Sequence, residues 1–74
     1  MTNETAGKLK ALELADIEAT DERITHYEDC DYLTINTGRN GRDYAWYADE
    51  SHNIAVDIET LEVLTNQEID KYLA

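Results

Sequence analysis

A chain of 74 residues holds one small domain, spanning 1–74, and no more. Its 6 Lys and Arg against 17 Asp and Glu give a net charge of −11. That charge excludes direct binding to a nucleic-acid backbone and docking on anionic lipid, both of which need cations. With 42% hydrophobic residues, the chain is also too apolar for a disordered acidic tail.

The N-terminus, Met1-Thr2-Asn3-Glu4, has neither the basic nor the apolar region of a secretory signal. Thr2 to Ala19 is rich in Ala, Leu, Glu and Lys, and propensity predicts a helix capped by Thr2 or Asn3. The pattern is untidy. At 100° per residue Glu13 and Asp16 fall between Leu9, Leu12 and Ile17, while Leu14 points away. Thr20-Asp21-Glu22-Arg23 fits either the cap of a short helix ending at Tyr27 or an edge strand. Residues 4–28 are therefore one helix, two helices, or a helix plus a strand.

From Asp31 onward the pattern is β. Tyr32 to Thr37 is β-branched and aromatic, and Asn40-Gly41 predicts a hairpin. Asp43 to Ala48 is the partner strand, with Tyr44 and Trp46 on one face and Ala45 and Tyr47 on the other. Ile54, Val56 and Ile58 alternate with Ala55, Asp57 and Glu59, which predicts a half-buried strand, and a short fourth strand follows at Leu61 to Leu64. Thr65-Asn66-Gln67-Glu68 matches a capping box opening a short C-terminal helix with Ile69, Tyr72 and Leu73 on one side. The expected class is α+β: an antiparallel sheet of three or four strands, an N-terminal helix and a short C-terminal helix.

No motif for catalysis stands out. Cys30, His26 and His52 lack the paired spacing that zinc requires, and Asp29-Cys30-Asp31 fails as a calcium loop because Leu33 and Thr34 occupy the fifth and sixth positions. Ser51 beside His52 is a sequence neighbour pair and no triad. The expectation is a protein that is not an enzyme and uses no metal or cofactor. The lone cysteine, Cys30, cannot form an internal disulfide, which suits an intracellular setting. So small a domain leaves a homodimer open.

Acids run along the whole chain, and no Lys or Arg interrupts them between Asp43 and Asp70. Strand carboxylates two residues apart, such as Asp57 and Glu59, are expected about 6.6 Å apart on one face. Rows of that kind present a field like that of a phosphate backbone and steer toward a basic groove. The expected partner-binding residues are Asp29, Asp31, Asp43, Asp49, Glu50, Asp57, Glu59 and Glu62, with Tyr47 as an aromatic anchor.

In size, acidity and mixed strand and helix build, the chain resembles the small acidic inhibitors encoded by phages and other mobile elements. These include anti-CRISPR proteins and DNA-mimic anti-restriction or glycosylase inhibitors. The resemblance is one of whole-chain character and transfers no residue. It implies occlusion of a nucleic-acid-binding protein or ribonucleoprotein complex in the cytoplasm of a bacterial or archaeal host, without catalysis. Two other readings fit the same composition: a halophile's small structural module, and an antitoxin-like accessory that binds through its N-terminal segment.

Overall fold

The computed structural model describes residues 3–74. Helices α1 (Asn3–Leu14) and α2 (Asp21–Asp29) come first. Strands β1 (Leu33–Thr37), β2 (Asp43–Ala48) and β3 (Asn53–Asp57) follow, and helix α3 (Asn66–Tyr72) ends the chain. The strands form an antiparallel meander in the order β1-β2-β3, with Leu33 opposite Tyr47 and Tyr47 opposite Ile54. The fold is α+β, as expected, and the open question over residues 4–28 resolves as two helices. Asn3 is already helical, and Thr2 lies outside the described residues.

Both early helices end in the same way. Ile17 N donates to Leu12 O and Asp16 N to Glu13 O, while Tyr32 N donates to Tyr27 O and Asp31 N to Glu28 O. These are Schellman motifs, in which one left-handed residue turns the chain so that the last carbonyls are satisfied. The left-handed positions are Asp16, φ 63°, and Asp31, φ 62°. Glycine is the usual occupant, and aspartate tolerates the conformation through its short polar side chain. The expected helix to Ala19 stops early because sequence propensity gives no warning of an aspartate in that role.

The untidy pattern of α1 also has a physical cause. Its buried side is the small-residue row Gly7, Ala11, Ala15 beside Leu12. A Cβ on Gly7 would stand 2.9 Å from Ile58 Cγ2 and 3.2 Å from Ala45 Cβ, so the helix backbone lies directly on the sheet. Lys8 falls on the same side, its side chain 15% exposed, and its ammonium reaches Glu28 at 2.6 Å, tying α1 to α2. A close-packed face of Gly, Ala and Lys stem has little hydrophobic contrast to detect. The N-terminal segment is thus part of the core, with Ala11 and Leu12 fully buried.

The sheet is covered on both faces. Leu33, Tyr47 and Val56 pack with α1 and α2, and Tyr44 and Ala55 pack with Ile69 of α3. Hence Ala55, Val56 and Asp57 are all buried, where alternation predicted a half-exposed strand. The capping box of α3 is present: Thr65 Oγ1 accepts from Glu68 N, and Glu68 Oε1 accepts from Thr65 N. Arg39 closes the other end of α3, donating to the main-chain oxygens of Lys71 and Ala74.

The expected turn at 38–41 joins β1 to β2. The hairpin bonds Gly38 N to Arg42 O and Gly41 N to Gly38 O, with Gly41 at φ 82°. It is a three-residue loop whose bulge glycine is left-handed. The predicted fourth strand reduces to one bridge, Val56 to Val63. Flanking bonds from Asp57 N to Glu62 O and from Leu64 N to Ala55 O nevertheless cover the outer edge of β3.

Candidate binding surface

The expected partner-binding acids divide between opposite ends of the sheet, about 17 Å apart along β2. One end holds the hairpin and the end of β3. There Asp43 accepts from Thr37 Oγ1 at 2.6 Å. Asp57 is 5% exposed and accepts from Arg42 Nε and from the backbone of Glu59 and Thr60. Burial pushes its carboxyl up, but the Arg42 hydrogen bond, the two backbone donors and the Arg42 charge outweigh that and leave it lowered. Glu59 sits 3.4 Å from the same guanidinium. Glu62 is exposed, and its carbonyl pairs with Asp57 N. Asp57 and Glu59 therefore do not form an outward row. They converge on Arg42, and Asp57 is a structural anion inside the fold.

The other end gathers the α2–β1 junction and the β2–β3 loop. Ala48 N donates to Tyr32 O, which places Asp31 and Tyr32 beside Asp49 and Glu50. Asp49 is committed internally. It accepts from Tyr47 Oη at 2.6 Å and from the backbone of Ser51 and His52, and His52 Nδ1 lies 3.1 Å away. The Tyr47 and Ser51 hydrogen bonds, against partial burial and with help from His52, hold its carboxyl down to about 2. Tyr47 is 1% exposed, and burial together with Asp49 pushes its phenol up. Tyr47 is a core residue and not an anchor: its ring sits edge-on to Tyr27 with centroids 5.5 Å apart.

The exposed aromatic is Tyr32. It stacks on Tyr27 at 6.4 Å, meets Tyr47 edge-on at 6.5 Å, and remains 41% exposed. Its position follows from the Schellman motif of α2, where the residue after the left-handed one folds back onto the residue five before it. Asp29, Asp31 and Glu50 around this end are exposed and make no side-chain hydrogen bond or ion pair among the described residues. Asp21 and Glu22, on the solvent side of α2, are likewise exposed and without a cationic partner. Sequence reasoning missed those two. Their signal was the Asp21, Thr25, Asp29 row at helical spacing, readable only once α2 is accepted as a helix.

Four of the six cations are engaged: Lys8 by Glu28, Arg42 by Asp57 and Glu59, Arg39 by the end of α3, and Lys71 over the Tyr72 ring. Arg23 is exposed on α2 beside Glu22, and neither it nor Lys10 makes a side-chain ion pair among the described residues. Among the described residues no group of three His, Cys, Asp or Glu side chains lies close enough to hold a metal ion. No helix of the described residues is long and apolar enough to cross a membrane. The chain matches no protein-family model, and neither curated proteins nor solved structures gave a match.

Proposed function

We propose that this protein is a binding inhibitor that docks its Tyr32 end on a basic nucleic-acid-binding surface of a host protein or ribonucleoprotein complex, in the cytoplasm, without catalysis. The observation that carries the reading is an exposed tyrosine among carboxylates, Asp29, Asp31 and Glu50, that make no ion pair among the described residues, with Asp21 and Glu22 along α2. Charge on such a surface draws in a basic groove from a distance, and an aromatic with two rotatable angles anchors it at low entropic cost. The sheet supports both. Tyr27 and Tyr47 hold the Tyr32 ring from below, and the Schellman turn fixes Asp31 beside it.

The test is affinity capture of host nucleic-acid-binding proteins at low and moderate salt, with DNA or RNA as competitor. The wild-type protein is compared with a Tyr32→Ala variant and with an Asp29→Asn, Asp31→Asn, Glu50→Gln triple variant. One retained complex, released by nucleic acid and by salt and lost with the triple variant, is the expected result. Equal capture by the triple variant, or indifference to nucleic acid, would refute the reading.

A further inference from the structure

Strand β1 is the exposed edge of the sheet, and its main chain is arranged to pair with itself. Gly38 N donates to Arg42 O, and Ala48 N donates to Tyr32 O. The register pairs Thr34 with Trp46 and Asn36 with Tyr44. Even-numbered residues of β1 therefore exchange bonds with β2, and the N–H and C=O groups of Leu33, Ile35 and Thr37 point outward. Those groups have no hydrogen-bond partner among the described residues. The opposite edge is treated differently, since residues 62–64 cover β3.

Open edges are normally blunted with lysine, proline or a bulge. β1 has none of these. Leu-Thr-Ile-Asn-Thr carries no charge at all in a chain of net charge −11. An equally acidic copy is repelled from most of the surface, and this neutral strip is where it can approach.

We infer that β1 pairs antiparallel with β1 of a second copy, about a twofold axis at Ile35, giving a continuous six-stranded sheet. This register sets Ile35 against Ile35 and Leu33 against Thr37 of the copy, so every outward N–H and C=O finds a partner. Charge fixes the direction. The N-terminal end of β1 carries Asp31, with a free carboxylate, and the far end carries Arg39, whose guanidinium meets main-chain oxygens and no acidic side chain. The twofold brings each Asp31 toward the copy's Arg39, whereas a parallel arrangement would set like against like. On the α3 side of the sheet, Thr34 falls opposite Asn36 of the copy. These two residues already hydrogen-bond within one strand, so they exchange partners readily. The pairing and the proposed host surface share Asp31, so the tests of pairing are placed at Thr34, Asn36 and Thr37, none of which belongs to that surface.

Sedimentation equilibrium between about 10 μM and 1 mM, a range that spans weak dissociation constants, reads the association. Added salt is expected to strengthen the dimer by screening the net repulsion between copies. Thr37→Pro removes an outward N–H without touching a main-chain bond to β2, losing only the side-chain bond from Thr37 Oγ1 to Asp43, and it is expected to leave a folded monomer. A second measurement reads the register even if that variant misfolds. In a Cys30→Ser background, Thr34→Cys and Asn36→Cys proteins are oxidised singly and mixed. Opposed Cα atoms at a non-hydrogen-bonded pair lie about 4.5 Å apart, within disulfide reach. The mixture should cross-link several-fold faster than either protein alone. A monomer at every concentration, a folded Thr37→Pro variant that still dimerises, or homotypic cross-links as fast as heterotypic ones would overturn the inference.

Discussion

Asp16 and Asp31 occupy the one helix-ending position where glycine is normally favoured, and both place a negative charge at the negative end of a helix dipole. Replacing either with Asn keeps the tolerance for positive φ and removes the charge, which should stabilise by about 0.5 kcal/mol. Replacing it with Gly adds relief of left-handed strain, about 1 kcal/mol, offset by about 0.4–1 kcal/mol of extra unfolded-chain entropy. Gly and Asn are therefore expected to stand close together, both above wild type. Ala removes the charge but has no polar group to ease the left-handed turn, so it should fall about 0.5–1 kcal/mol below wild type. The two sites belong to separate motifs, so the double Gly variant should gain about 1 kcal/mol, or roughly 4–8 °C in Tm for a domain this size. Urea melts read the series through the midpoint at constant slope. The reasoning fails if Ala equals Asn, which would mean the left-handed geometry is not what ends these helices. It also fails if Asn and Gly both destabilise, which would mean the carboxylates hold something inside the fold. Binding separates the two sites further. Asp31→Asn should weaken capture of a basic partner, whereas Asp16→Asn should not.

Gly7→Ala would gain helix propensity of about 1 kcal/mol, yet its methyl group meets Ile58 and Ala45 at 2.9 and 3.2 Å, and Gly7→Val would clash further. Chemical denaturation should show Ala destabilised by about 1 kcal/mol and Val by at least about 2. The folded-state carboxyls of Asp49, at about 2, and of Asp57, also lowered, lie below their unfolded values. The contribution of Asp49 is present above its unfolded value and is lost as pH falls from about 4 toward 2, and that of Asp57 is lost in the same direction, which acid titration of the near-UV circular dichroism should follow. Tyr47→Phe removes the strongest bond to Asp49 and should move that acid limb to higher pH, with a loss near 1 kcal/mol at neutral pH. Neutralising Asp57 by Asp57→Asn should leave Arg42 only its longer contact to Glu59 and loosen the hairpin, seen as faster amide exchange at Gly38 and Arg42.

The β half and the C-terminal helix were legible because their signals are local. β-branched alternation, a glycine-containing turn and a capping box each act within a few residues, and Tyr44 and Tyr47 fall on the faces that alternation assigns them. What was not legible depended on distant packing. Small residues bury α1 only because Ile58 and Ala45 lie against Gly7, Ala55 is buried only because α3 returns over the sheet, and Asp57 because Arg42 and the backbone of Glu59 and Thr60 close on it. The site was misread for a related reason. Acidity is visible in sequence, but which acid is spent inside the fold is not. Asp49 and Asp57 turn inward to Tyr47 and Arg42, while Asp29, Asp31 and Glu50 stay free. Tyr47 and Tyr32 are equally aromatic on paper, and only the chain reversal after α2 decides which ring is outside.

The close seat of α1 also orders events at the ribosome. The helix leaves the tunnel before the sheet, and its contacts at Ala45 and Ile58 are made roughly 40–50 residues later, a delay of about 2–10 s at ordinary elongation rates. Twelve residues with a glycine inside are too short to hold a helix alone over that interval. The segment therefore waits as a solvated coil, and its row of glycine and alanines offers little for another nascent chain to stick to. A leucine-rich face would have docked more strongly and spent those seconds exposed.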